Sequence, residues 1–293
     1  MYKEDNLKIL ITGASGLLGR ELVNTISKEY DVEGWAFSRP DNLKRVDLLD
    51  FDNVKKAFMD FSPDILIHSA AERRPDVMNS NPDEAWKMNV DVTLNLALLC
   101  NTQKVHMAFI STDYVFDGTA PPYNEDSETS AINLYGKSKA ESEKLIMNAC
   151  KSFCIIRIPI LYGPTANPDE SAVTALLSKI KNSSEKNISI NDGAVRYPTL
   201  TTDVSKAVNF LIKNSSKGIY HYTSEEPFTK YGMAVLIAEY MNINPEKIYP
   251  DIEPDKNAKR PLNAHLNNTK IRKLGFHFYT PFKKGLADVL KYL

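Results

Sequence analysis

Residues 7–19 read LKILITGASGLLG. A short apolar, β-branched run goes straight into glycines at 13, 16 and 19, and a helical pattern follows from Leu17 to about Tyr30. Strand, glycine-rich turn and helix in that order form the first unit of a dinucleotide-binding sheet. The glycines allow a tight turn, let backbone amides approach a pyrophosphate and let the helix pack closely on the strand. Three glycines alone say little; their place in the first strand-turn-helix unit gives them meaning. The candidate phosphate-binding residues are Gly13, Ser15, Gly16, Leu17, Leu18 and Gly19.

Outward from this unit, strand and helix keep alternating. VEGWAFS (32–38) reads as a second strand, DNVKKAFMDF (52–61) as a helix capped by Asp52, and DILIHSAA (64–71) as a buried strand. A long helix is predicted from Pro82 through Cys100, then a strand over VHMAFIST (105–112), a helix from Leu134 to Cys150 and a strand over FCIIRIPILYG (153–163). Strands apolar on both faces, alternating with helices, predict an α/β fold: a Rossmann-type, doubly wound parallel sheet covered on both sides. After Gly163 the rhythm loosens. ESAVTALLSKI (170–180) is expected as a helix, NISIND (187–192) and GIYHYTS (218–224) as short strands, and TKYGMAVLIAEYM (229–241) and the last thirteen residues as helices. The division expected is a dinucleotide-binding domain over 1–162, with the chain recrossing to it near 196–215, and a smaller α/β substrate or partner lobe over 163–293.

Composition narrows the function classes. The 293 residues carry 36 Lys+Arg against 37 Asp+Glu, so no global field gathers nucleic acid or anionic lipid. No apolar run is long enough for a signal peptide or a membrane span. Cys100, Cys150 and Cys154 are odd in number and lack CxxC spacing, which predicts buried thiols in a reducing, cytoplasmic setting. The five histidines show no metal-binding spacing, so no metal is expected, and His68 reads as a satisfied core residue.

The chemistry is predicted at the carboxyl edge of the sheet. Ser38 and Arg39 stand where a carboxylate would select NAD(H), so NADP(H) is favoured, and Asp47-Leu48 is placed toward the adenine. Tyr135 and Lys139, at i and i+4, share one helix face, where the ammonium is expected to lower the phenol's pKa and reach a ribose hydroxyl. Ser111-Thr112-Asp113-Tyr114 ends the preceding strand with hydroxyl donors aimed at the same edge.

TGASGLLG, STDYVF and YGKSK together resemble the extended short-chain dehydrogenase/reductases, and the likeness runs through the whole chain. STDYVFDG is similar to the dTDP-4-dehydrorhamnose reductase branch. HSAAERRPDV (68–77), IRIPILYG (156–163), ESAVT (170–174), RYPT (196–199) and RPLNAHL (260–266) resemble the beta regulatory subunits of methionine adenosyltransferase. The resemblance implies NADP binding, with a methionine adenosyltransferase catalytic subunit as partner or a nucleotide-linked 4-keto-6-deoxy sugar as substrate; a homodimer is left open. It assigns Thr112 to the substrate carbonyl, Tyr135 to proton donation, and Lys139 to tuning the phenol and holding the ribose. It further places Ala70, Ala71, Arg73, Asn89 and Pro159 along the cofactor, with Asn89 read equally well as a buried polar residue. Asp113, Tyr114 and Arg196 are assigned to substrate; Arg157 and Arg260 are weaker anion-binding candidates. Two features depart from the pattern. Glu72-Arg73-Arg74-Pro75-Asp76 puts charges beside the nicotinamide that the reductase branch is not expected to carry, and such regulatory subunits continue into a docking tail where this sequence stops at Tyr292-Leu293.

Overall fold

The first apolar run becomes a strand buried on both faces: Ile9 and Ile11 point to one layer of helices and Leu10 to the other. A computed structural model describes residues 7–38, 42–165, 167–182, 187–252 and 259–291. Its strands begin with β1 (Lys8–Thr12), β2 (Asp31–Ala36), β3 (Lys44–Arg45), β4 (Ile65–His68), β5 (His106–Thr112) and β6 (Phe153–Ile158). They continue with β7 (Leu161–Tyr162), β8 (Ile188–Asn191), β9 (Val195–Arg196), β10 (Thr199–Leu200), β11 (Gly218–His221), β12 (Phe228–Thr229) and β13 (Ile248–Asp251). Seven form one parallel sheet in the order β11-β6-β5-β4-β1-β2-β3. The order reverses at β1, where doubly wound sheets bind their ligands.

The helices are α1 (Leu17–Ile26), α2 (Phe51–Phe61), α3 (Pro75–Ser80), α4 (Pro82–Trp86), α5 (Val92–Gln103), α6 (Leu134–Ala149), α7 (Ala175–Lys181), α8 (Thr201–Lys213), α9 (Lys230–Tyr240), α10 (Thr269–Lys273) and α11 (Phe282–Leu290). On one face of the sheet Leu18, Leu22 and Ile26 of α1 and Val204, Val208 and Leu211 of α8 pack on Ile9, Ile67 and Ile156. On the other, Val54 and Phe58 of α2 and Leu96 and Cys100 of α5 pack on Leu10, Leu66 and Phe109. A separate core of Tyr162, Val173, Leu177, Ile190, Met233, Ile237 and Phe282 holds the later elements together. All three cysteines are buried and free. No helix among the described residues is long and apolar enough to cross a membrane.

Several local expectations are corrected. Helix α2 is capped by Asp50, whose carboxylate accepts from the Asn53 amide at 3.2 Å, and Asp52 lies inside the first turn. Helix α1 stops at Ile26, short of Tyr30. Over 170–180 only Ala175 onward is α-helical; Pro168–Glu170 is a single 3₁₀ turn, favoured by the proline and by the Asn167 side chain accepting from the Asp169 amide. Gly218–His221 is no outlying strand but the edge of the main sheet, paired with β6. The helix expected from Pro82 to Cys100 is interrupted at Lys87–Asp91 by a π turn.

Candidate functional site

The glycines of the first turn are fixed by close approach. Gly13 has φ +69°, and a Cβ there would lie 2.7 Å from the Ala70 amide nitrogen; one on Gly19 would lie 2.0 Å from the Gly13 carbonyl oxygen. The loop therefore packs directly on the segment after β4, and α1 packs directly on the loop. A Cβ on Gly16 would meet within 4 Å only the Gly13 carbonyl oxygen, at 3.2 Å, so the outer side of the turn is open. Gly16 is the N-cap of α1 and supplies no side-chain cap, leaving the first-turn amides of Leu17 and Leu18 without intrahelical partners. Open backbone, unpaired amides and a helix N-terminus suit a pyrophosphate.

Along the carboxyl edge, Thr12 and His68 face each other across β1 and β4 and share a hydrogen bond of 2.7 Å through His68 Nδ1. His68 Nε2 lies 3.1 Å from Thr93 Oγ1, whose hydrogen goes to the Asn89 carbonyl at 2.6 Å. Thr93 therefore accepts, His68 carries its proton on Nε2, and Thr12 donates to Nδ1. Burial, with the Lys139 charge behind it, lowers His68 to about 3 and keeps it neutral. His68 is thus a satisfied core residue that ties the sheet edge to the π turn.

Asn89 sits in that turn and is buried. Its carboxamide accepts from the Glu72 amide at 2.8 Å and donates to the Glu72 carbonyl at 2.9 Å and to Ser138 Oγ at 3.1 Å. The π turn also leaves the Asn89 carbonyl free to accept from Ser142 of α6 at 2.8 Å. Asn89 is buried and satisfied, and it clamps the segment that carries Arg73. Glu72 and Arg74 form an ion pair at 2.6 Å. Arg73 donates to the Glu170 carbonyl.

Tyr135 opens α6, which the Asn133 side chain caps by accepting from Gly136 N at 2.8 Å. Gly136 is required here because a Cβ would stand 2.0 Å from the Tyr114 carbonyl oxygen, so only glycine lets α6 rest on the 112–116 turn. Thr112 Oγ1 donates to Asp113 at 3.1 Å and accepts from the Tyr114 amide at 3.2 Å, and its hydroxyl is close enough to the Tyr135 phenol to pull the phenol's pKa down against burial. Thr112, Asp113, Tyr114 and Tyr135 therefore come together, with the Tyr114 and Tyr135 rings edge to face at 6.2 Å.

The expected tuning of Tyr135 by Lys139 is not what the geometry gives. Burial pushes the phenol up to about 12, and the main opposing charge is Arg73. The Lys139 ammonium lies 3.8 Å from the centroid of the Phe109 ring, and burial brings it down to about 7 against the pull of Glu143. Helical spacing puts the two side chains on one face; the aromatic floor of the sheet takes the ammonium.

Arg157 is corrected as an anion-binding candidate. It is 3% exposed and paired with Glu143 at 2.7 Å, and Glu143 also accepts from Ser111 at 2.5 Å. Arg196 donates to the Val195 carbonyl at 2.7 Å and its guanidinium lies 5.9 Å from the Tyr114 ring centroid, beside Asp113. Arg260 adds a charge near Tyr114. Asp47 accepts from the Leu49 amide at 2.9 Å, Leu48 is buried with Trp35 and Val46, Pro159 is buried between β6 and β7, Ala70 is buried, Ala71 is half-buried, and Ser38 is exposed beyond β2. Arg39 lies outside the described residues. Glu143, Phe109, Thr93 and Thr12 were missed as site residues; Glu143 was signalled by its place four residues after Lys139. Among the described residues no group of three or more His, Cys, Asp or Glu side chains is placed to hold a metal ion.

A parallel sheet reversing at β1, a glycine turn open to a pyrophosphate and a Thr-Tyr-Lys set at the end of β5 and on α6 define a reductase-type nicotinamide dinucleotide fold. The chain belongs to the RmlD substrate binding domain family, whose model matches residues 7–293. It is 38% identical over 298 aligned positions to methionine adenosyltransferase 2 subunit beta of Pongo abelii, covering 97% of this chain and 87% of that one. It is 27% identical to the dTDP-4-keto-6-deoxy-D-glucose reductase of Streptomyces niveus, over 82% of this chain and 81% of that one. The structure of dTDP-4-dehydrorhamnose reductase from Bacillus anthracis in complex with NADP superposes with a TM-score of 0.87 at 27% identity, covering 98% of this chain and all of that one.

Proposed function

We propose that this protein is a beta-type regulatory subunit: it binds NADP(H) at the carboxyl edge of its sheet and associates with a methionine adenosyltransferase catalytic subunit. The observation that carries the reading is the 38% identity to a methionine adenosyltransferase beta subunit sustained over 97% of the chain. The pyrophosphate would lie on Gly13, Ser15, Gly16, Leu17, Leu18 and Gly19, with Ala70, Ala71 and Asn89 lining the channel and Lys139 holding the ribose. The dinucleotide, when bound, supplies a hydride at its nicotinamide ring. Preference for NADP(H) over NAD(H) rests on Ser38 and Arg39: an arginine pairs with a 2′-phosphate, a carboxylate with a 2′-hydroxyl.

A phenol held near 12 by burial is poorly matched to acid-base work at neutral pH. The second reading, an NADPH-dependent reductase of a nucleotide-linked 4-keto-6-deoxy sugar, is favoured by Thr112 and Tyr135 standing together and by Arg196 and Arg260 around Tyr114. In that reaction Thr112 would hold the substrate oxygen and Tyr135 would protonate it.

S-adenosylmethionine formation by the catalytic subunit, measured with and without this chain and NADP, tests the proposal. A change in methionine affinity or rate that survives Tyr135→Phe supports it. NADPH oxidation with a dTDP-4-keto-6-deoxy sugar, abolished by the same substitution, and no effect on the catalytic subunit would establish the second reading instead. Arg39→Ala should weaken NADPH far more than NADH binding; equal loss would refute the 2′-phosphate assignment.

A further inference from the structure

We infer that residues 167–174 form a clasp across the dinucleotide cleft, latched by Glu170, and that unlatching it limits how fast the cofactor exchanges; the inference rests on the dinucleotide-binding reading above. The base of the clasp belongs to the second core. Val173 is fully buried there, Ser171 donates to the Leu161 carbonyl at 2.7 Å, and Thr174 donates to the Pro168 carbonyl at 2.5 Å. Its tip reaches out of that core to Arg20 of α1 and to Arg73 in the segment after β4.

On one side is the phosphate loop. Arg20, one turn into α1, donates through Nη1 to the Ser15 carbonyl at 2.7 Å and through Nη2 to the Glu170 carboxylate at 2.5 Å. Thr165 donates to the same carboxylate at 2.6 Å, which fixes its direction. On the other side is the reaction end, where Arg73 donates to the Glu170 main-chain carbonyl while its charge acts on the Tyr135 phenol. One residue of the second lobe is therefore linked through Arg20 to the loop that would hold the pyrophosphate and bonded directly to Arg73 in the segment beside the nicotinamide end. A dinucleotide bound between Ser15 and Tyr135 would have to pass this bridge.

The latch is strong enough to matter and weak enough to open. Glu170 is 11% exposed and Arg20 37%, so the ion pair is part-desolvated and not locked in the core. Charge-assisted hydrogen bonds in such a setting exceed neutral ones. Cutting the latch should speed both entry and departure of the cofactor while changing its equilibrium affinity far less.

The test is stopped-flow displacement of NADPH, followed by its fluorescence, from the full chain and from Glu170→Ala and Glu170→Gln. Glu170→Ala is expected to release NADPH about tenfold faster, with association faster by a similar factor, the rate equivalent of ~1.4 kcal/mol. Glu170→Gln, which keeps the Thr165 contact and lacks only the charge, should fall between. Matching thermal melts show that both variants are folded, and hydrogen exchange in 167–174 should slow on NADPH binding in the native chain and not in Glu170→Ala. Release rates within twofold of native in both variants overturn the clasp and leave the dinucleotide site standing. A native chain that retains no NADPH removes the site and the clasp together.

Discussion

The Lys139 ammonium is buried, 3.8 Å from the centroid of the Phe109 ring. Burial holds that ammonium at about 7, below its ordinary 10.5. Between pH 7 and 10.5 the unfolded chain binds a proton that the folded chain has lost, so stability rises with pH across that window and the cost of burying the charge is fully present below it. Lys139→Met should therefore stabilise the cofactor-free protein at pH 6 by roughly 1–4 kcal/mol, the range seen when buried ions give way to apolar groups. The gain should shrink toward pH 10, as urea unfolding at several pH values would record, while NADPH binding weakens.

Asp113 titrates in the opposite sense. Its carboxyl is raised to about 7 by burial, with Arg196 and the Thr112 hydroxyl opposing. Between pH 4 and 7 the folded chain keeps a proton that the unfolded chain has released, so this group's contribution falls as pH rises. The stability of Asp113→Asn relative to native should increase over that window. A difference independent of pH would remove Asp113 from the account.

The Glu143–Arg157 pair bridges α6 to β6, with both side chains at most 3% exposed. Glu143→Ala leaves a buried guanidinium without its carboxylate and should cost about 3–5 kcal/mol. Denaturant unfolding measures this directly, and a loss below 1 kcal/mol would mean that water reaches the pair.

Gly19→Ala places a methyl carbon 2.0 Å from the Gly13 carbonyl oxygen, against backbone that cannot swing aside. We expect NADPH affinity to fall by more than about tenfold, ~1.4 kcal/mol, as the loop is displaced. Unchanged affinity with unchanged melting would show that the loop does not hold the cofactor.

The sheet and the glycine turn were legible in the sequence because both are local: apolar runs bounded by glycine, and glycines fixed in register with a strand. Asn89, Thr112 and Tyr135 were legible as residues near one sheet edge because parallel strands all end there. What Lys139 does was not legible, since i,i+4 spacing gives a common helix face but not the partner beneath it. Arg157 read as an anion gripper because its carboxylate lies on another element, fourteen residues earlier at Glu143. The edge strand Gly218–His221 was misplaced for a similar reason: it reaches the sheet only after α8 has crossed back over α1.

The most direct test of the central claim mixes the purified chain with the methionine adenosyltransferase catalytic subunit of the same organism in the presence of NADP, followed by size-exclusion chromatography with light scattering. The account predicts one shared peak whose mass is the sum of both chains in a fixed ratio. Two separate peaks at micromolar concentration would contradict it.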